Sequence, residues 1–195
     1  RATLESILNQ SYNNLEIIVV DDGSSDDSAS VVRSYGSKIR CISQLSSGNA
    51  AVPRNVGLGS SRGDLIAFFD ADDLMQRDKI ELQVAFFKRH PQLSVSLTDY
   101  INFSVTGEFD RSHFMTCRNL FAILQNQLPA EDCILEPKLA RCILTRENFA
   151  ITSSLLLRKE IVESCGGFDP KVAPSEGILL FPRGSFPSPL FAARF

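Results

Sequence analysis

Three carboxylates, Asp70, Asp72 and Asp73, fall within four positions of the stretch D-L-I-A-F-F-D-A-D-D at 64–73. Carboxylate oxygens are hard ligands that suit Mg²⁺ or Mn²⁺, and such a cation in turn suits a phosphate. Side chains alternate along an extended chain, so Asp70 and Asp72 can share one side. A second acidic group, Asp21, Asp22, Asp26 and Asp27, follows the run L-E-I-I-V-V at 15–20. Seven of the 23 acids therefore lie in two short stretches. Clusters of this sign attract cations, so a phosphate ligand here needs a metal between.

Other chemistries fit these residues less well. A calcium loop starting at Asp70 places Glu81 at the right distance, but Leu74 and Met75 occupy positions that need a ligand and a glycine. A phosphohydrolase built on the D-x-D carboxylates leaves V-V-D-D-G-S unexplained. Taken singly, Asp22 and Ser24 could shape a turn or cap a helix, Arg54 could be a surface charge, and Asp73 could cap the next segment.

The elements that must position the acids follow from hydrophobic patterning. Leu65 to Phe69 is unbroken apolar sequence and reads as a strand buried on both faces, as in parallel sheets. An ionised carboxylate in such an interior costs on the order of several kcal/mol, so the acids belong at the sheet's edge, where open α/β sheets bind ligands. Leu15 to Val20 is a second buried strand. Gly23 permits a tight turn, and Ser24 or Ser25 caps a helix with Asp26 and Asp27 in its first turn. Lys38 to Ser43 is a short strand. The segment S-S-G-N-A-A-V-P-R-N-V-G-L-G leads into a helix from which Arg54 and Asn55 project toward the acids. The alternation α-β-α-β-α-β over the first 73 residues predicts a mainly parallel sheet in a three-layer α/β/α domain. Further on, 79–89 is helical, 93–97 and 150–157 are strands, and 159–164 is a helix. From Gly177 the chain lacks acids, carries prolines and phenylalanines, and has no clean periodicity.

Composition sets the bounds. At 195 residues, 44% hydrophobic and 22% charged, the chain suits one globular domain. A net charge of −3 gives no pull toward nucleic acid or anionic membrane. The five cysteines are odd in number and form no C-x-x-C pair, which argues against a disulfide framework and a zinc site and suits a reducing cytosol. No apolar run of 18 residues predicts an integral membrane segment, and no signal peptide is evident.

Three ordered motifs, V-V-D-D-G-S-S-D at 19–26, G-N-A-A-V-P-R-N-V-G at 48–57 and F-D-A-D-D at 69–73, resemble those of the family 2 glycosyltransferases of GT-A (Rossmann-like) fold. The resemblance runs from about Leu4 to Glu176. It implies a domain over 1–176 and a divergent tail over 177–195. It implies that Asp22, with Asp21 beside it, binds the nucleotide base. Asp72 would be the main metal ligand, with Asp70 supporting metal or donor sugar, and Arg54 and Asn55 would lie beside the nucleotide pocket. The implied cofactor is Mn²⁺ or Mg²⁺. The implied reaction is inverting transfer of a hexosyl unit from a nucleotide-diphosphate sugar, a UDP-sugar, to a hydroxyl of a saccharide or lipid-linked acceptor, as in cell-surface polysaccharide synthesis. The location it implies is cytoplasmic or peripheral at the inner membrane face.

The chain departs from the family's pattern at two places. The family's opening strand, with its P-x-Y/F-N motif, has no counterpart before the helix at Arg1. After G-G-F-D at 166–169 the family carries an E-D pair whose Asp is the general base, and here Glu176 is followed by Gly177. Glu176 is then the only candidate base at that place. These departures predict weak activity, as from a truncated or frame-shifted product, the alternative being an inactive remnant that binds metal and sugar nucleotide.

Overall fold

The computed structural model describes residues 1–124, 133–171 and 190–194. Strand β1 (Ile18–Asp22) pairs in parallel with β2 (Arg40–Gln44), joined through helix α2 (Ser28–Arg33). Helix α3 (Ala51–Ser60) packs on β1, with Gly57 facing Val20. A five-stranded sheet follows in the order β3 (Leu65–Ile66), β8 (Leu155–Arg158), β4 (Leu93–Thr98), β9 (Leu190–Arg194), β7 (Cys133–Leu135). A small hairpin, β5 (Phe103–Ser104) with β6 (Gly107–Glu108), stands apart. Helices α1 (Ala2–Leu8), α4 (Lys79–Arg89), α5 (His113–Thr116), α6 (Arg118–Ile123), α7 (Pro137–Leu144) and α8 (Lys159–Ser164) complete the described elements.

The larger sheet is covered on both faces, which gives the three-layer arrangement. On β8, Leu155 and Leu157 enter one apolar cluster, with Leu58, Phe68, Phe114, Phe149 and Val162. Leu156, between them, enters the other, with Ile80, Val84, Phe86 and Phe87 of α4. Alternation along a strand produces this division.

Strand directions are mixed. Both β3 and β4 run antiparallel to β8, so β3 and β4 run the same way, and β9 is parallel to β4. The α/β class expected from the sequence holds, but its parallel pairs are β1 with β2 and β4 with β9. The strand buried on both faces is β8, not 65–69. There only Leu65 and Ile66 pair; Ile66 and Phe68 are buried while Ala67 is exposed. The reason is one-sided pairing: β3 has a neighbour only in β8, and among the described residues no strand joins it to β1. In the tail, 190–194 forms a strand between β4 and β7, an element the sequence pattern had not marked.

Helix α2 also starts later than expected. Its N-cap position is Asp27, not a serine, because the preceding acids bind locally. Asp21 Oδ1 accepts the Ser24 amide at 3.1 Å and Asp26 Oδ1 accepts the Ser28 amide at 3.0 Å.

Candidate functional site

Because β3 and β4 point the same way, their C-terminal ends lie at one edge of the sheet, with the start of β8 between them. The chain leaving β3 reaches that edge as Asp70-Ala71-Asp72-Asp73. A tight turn closes it, the Asp73 amide donating to the Asp70 carbonyl at 3.3 Å. Helix α1 fastens the loop from outside: Thr3 Oγ1 donates to the Ala71 carbonyl at 2.7 Å, and the Met75 amide donates to Ser6 Oγ at 3.0 Å. From the β8 side, the Ser153 hydroxyl oxygen accepts the Asp70 amide at 3.0 Å. The backbone of the acidic loop is thus tied to two elements, with Ala71 and Asp72 exposed and Asp70 and Asp73 half-buried.

Asp70 is engaged and Asp72 is not. Arg54 Nη2 donates to Asp70 Oδ1 at 2.8 Å, with the arginine side chain 20% exposed and the aspartate 44%. The guanidinium also sits 5.4 Å from the ring centre of Phe168, and Phe168 packs edge-on against Phe68 at 4.8 Å. Arg54 is therefore held between a carboxylate and an aromatic face. Asp72 is exposed and forms no hydrogen bond or ion pair among the described residues.

Asn55 turns away from the acids. Its Nδ2 donates to the Phe168 carbonyl at 2.8 Å, and its Oδ1 accepts the Phe168 amide at 2.9 Å. This corrects the expectation that both residues of the pair project toward the carboxylates. One residue apart on a helix, they diverge by about 100°. Gly167 makes the grip possible: its φ is +74°, and a Cβ there would lie 2.5 Å from Asn55 Oδ1.

Asp22 is saturated by its own chain. Gln44 Nε2 donates to its Oδ1 at 2.6 Å, Ser47 Oγ to its Oδ2 at 2.7 Å, and the Ser47 amide to both oxygens. These bonds, the Ser47 hydroxyl's first, hold the Asp22 carboxyl below its ordinary pKa. The result is a fixed loop over 44–50. That loop passes so close to Gly23 (φ +76°) that a Cβ there would meet the Ser46 nitrogen at 2.7 Å. At its end, Asn49 Oδ1 accepts the Ala51 and Val52 amides at 3.0 and 3.1 Å and starts α3. Asp22 is thereby linked through the loop and α3 to Arg54, and through Arg54 to Asp70.

Six contributors escaped the sequence reading: Thr3, Ser6, Gln44, Ser47, Ser153 and Phe168. Phe168 lies in the G-G-F-D stretch, the one signal that could have marked it. Glu176 and Gly177 lie outside the described residues. No group of three or more metal-ligating side chains occurs among the described residues. The donor set of Asp70 and Asp72 is nevertheless all hard oxygen, as Mg²⁺ or Mn²⁺ requires, and these cations commonly take only one or two carboxylates when phosphates complete the shell.

The family model described as glycosyl transferase family 2 matches residues 1–166, and the chain belongs to that family. Among curated relatives, an uncharacterized glycosyltransferase of Rickettsia felis is 36% identical over 111 residues, 56% of this chain and 18% of that protein. The Escherichia coli protein WfaP, named as a UDP-Glc:alpha-D-GlcNAc-diphosphoundecaprenol beta-1,3-glucosyltransferase, is 38% identical over 111 residues, 55% of this chain and 44% of that protein. The chain thus spans less than half the length of these relatives. Among solved structures, S. aureus TarS in complex with UDP superposes with a TM-score of 0.64 at 19% identity, covering 87% of this chain and 45% of that one. A mannosyltransferase from Pyrobaculum calidifontis in complex with GDP-Man and Mn²⁺ superposes at 0.58 with 19% identity, covering 87% of this chain and 43% of that one. These likenesses establish the GT-A fold.

Proposed function

We propose that this chain carries the donor half of an inverting glycosyltransferase, which moves a hexosyl unit from a nucleotide-diphosphate sugar to an acceptor hydroxyl. The observation that carries the reading is the pairing of an exposed, unengaged Asp72 with an Asp70 whose other partner is a guanidinium. One carboxylate offers free oxygen to a cation, and the second sits beside a cationic fork suited to phosphate oxygens.

In this reading Asp72 and Asp70 hold a divalent cation, Mn²⁺ or Mg²⁺, which would neutralise the charge of the departing diphosphate. Arg54 lies where it can exchange Asp70 for a diphosphate oxygen. Asp22 serves the nucleotide by fixing the 44–50 loop as a wall of the pocket, with Asp21 beside it. Asn55 acts at one remove, by fastening α3 to Phe168 and so keeping Arg54 aimed. The proton leaving the acceptor hydroxyl requires a carboxylate; the family's pattern puts that Asp at the position of Gly177, and Glu176 beside it is the substitute this sequence offers.

The donor is a UDP-sugar, as in the TarS complex and in WfaP's name, and the acceptor a saccharide on a lipid carrier, as in that name. The setting is assembly of cell-surface polysaccharide at the cytoplasmic membrane face. Among the described residues no helix is long and apolar enough to cross a membrane.

Titration calorimetry of the 195-residue chain with UDP, with Mn²⁺ and with EDTA, tests the donor site. Metal-dependent UDP binding is the expected result. Equal binding in EDTA, or none in either, overturns the reading.

A further inference from the structure

Among the described residues, five of the eight exposed large apolar side chains lie between positions 101 and 115: Ile101 is 46% exposed, Phe103 48%, Val105 106%, Phe109 58% and Met115 45%. Single exposed apolar residues need no explanation, but a cluster of this kind does.

The cluster is built on a rigid base. Asp99, directly after β4, accepts the amides of Tyr100 and Phe114 on one oxygen, at 2.8 and 2.9 Å. Tyr100 stacks on His113 at 4.5 Å, and His113 Nε2 lies 2.8 Å from the Asn148 carbonyl. From that base the β5–β6 hairpin projects, with Val105 at its tip. It leaves the C-terminal end of β4, the same edge to which β3 delivers Asp70 and Asp72. The segment from Asn148 to Ser153 connects the two, touching His113 at one end and the Asp70 amide at the other.

The hairpin's register shows what kind of surroundings suit it. Phe103 pairs with Glu108, and the Phe109 amide donates to the Asn102 carbonyl one step further along. Paired residues share a face and successive ones alternate, so Phe103 and Phe109 stand on opposite faces of the ribbon. A stable protein interface of standard size needs about 20–30 residues from each side, far more than this hairpin offers. A lipid phase surrounds an inserted element and accepts apolar side chains on both faces. Charge agrees: Glu108, Asp110 and Arg111 are the only charged residues between 101 and 115, a net of one negative charge. Attraction to anionic headgroups is therefore not the driving force.

We infer that the 101–109 hairpin is a wedge that inserts into a lipid leaflet beside the acceptor edge of the site. The inference rests on the lipid-linked acceptor reading above and names the surface that would meet the bilayer.

The test uses the 195-residue chain and sedimentation with phosphatidylcholine–phosphatidylethanolamine vesicles, free of nucleotide and acceptor, at low salt and in about 1 M salt. Wild type should pellet with the vesicles at both. The triple variant Phe103→Ser, Val105→Ser, Phe109→Ser should partition at least about tenfold less, since its lost apolar surface no longer leaves water. Its circular dichroism melt should match wild type because all three side chains are exposed. Leu45→Ser, at an exposed apolar site on another loop, should bind like wild type. Wild type remaining in the supernatant, equal binding by the triple variant, an equal loss in Leu45→Ser, or binding abolished by salt each overturns the proposal. So does a vesicle-free dimer that the triple substitution dissociates. The UDP and Mn²⁺ titration is independent of vesicles, so failure of the wedge and failure of the donor reading are separately visible.

Discussion

Arg54 Nη2 stands 2.8 Å from Asp70 Oδ1, while the face of the same guanidinium lies 5.4 Å from the Phe168 ring centre. The pair joins α3, which packs on the smaller sheet, to the acidic loop that leaves the larger one. Solvent reaches both side chains, so the ion pair itself contributes less than about 1 kcal/mol to stability. Its value lies in where it holds a cation and a carboxylate.

Arg54→Ala should change the melting temperature little. It should strengthen binding of Mn²⁺ alone several-fold, by releasing Asp70 Oδ1 from a competing cation, yet weaken binding of UDP with Mn²⁺ by about tenfold, the scale of one lost charge-assisted hydrogen bond. Calorimetry of the two ligands separately reads both changes. Arg54→Lys should likewise leave stability little changed and should not recover UDP affinity, since an ammonium cannot fork between two oxygens.

Asp72→Asn should abolish the metal dependence of UDP binding. Because Asp72 is exposed and makes no bond to the described residues, its unfolding free energy should stay within about 0.5 kcal/mol of wild type. Equilibrium urea unfolding beside metal titration separates the two effects. A stability loss as large as the binding loss would make Asp72 a structural residue.

Asn55→Leu should be destabilising by about 1–3 kcal/mol, because it leaves the buried-side amide and carbonyl of Phe168 without partners. Gly167→Ala should fall in the same range, combining a left-handed backbone with a contact against Asn55 Oδ1 at 2.5 Å. The two share one contact, so the double variant should lose less than the sum. Urea unfolding of the three variants measures this directly.

Lys79 supplies a pH signature. It is buried, and its ammonium has Gln83 Oε1 at 2.8 Å as hydrogen-bond acceptor. Burial lowers its pKa from 10.5 to about 7. Between those values the unfolded chain binds a proton that the folded chain does not, so stability rises as pH climbs from about 7 toward 10.5, is lost over the same window as pH falls, and changes no further below about 7. Lys79→Met should flatten this rise. Urea unfolding at pH 7 and at pH 9.5 gives the comparison; an unchanged slope in the variant would assign the rise to other groups.

Much of the site's chemistry was legible in residue types. The two acid clusters, the helix carrying Arg54 and the strand leading to Asp70 are local patterns, and Arg54 meets Asp70 as its projection from that helix suggested. What escaped depends on distant partners. Ser153 reaches the Asp70 amide across 83 positions, and Phe168 meets Asn55 across 113. Nothing in a window of sequence marks a serine as the acceptor for a remote amide. The strand at 190–194 was missed for the same reason: pairing with β4 and β7 organises a segment that has no periodicity of its own.

By itself the sequence determined where carboxylates would gather and that an α/β alternation would carry them, because charge and hydrophobic period act over a few residues; strand direction, antiparallel between β3 and β8, came from the tertiary structure. Only the tertiary structure decided what each carboxylate does. Packing α3 against β1 gave Asp70 a guanidinium, folding the 44–50 loop closed both oxygens of Asp22, and the outward turn at 70–73 left Asp72 open to solvent. The physical reason is that a carboxylate's role is fixed by the donors that reach it, and those donors come from elements far apart in the chain.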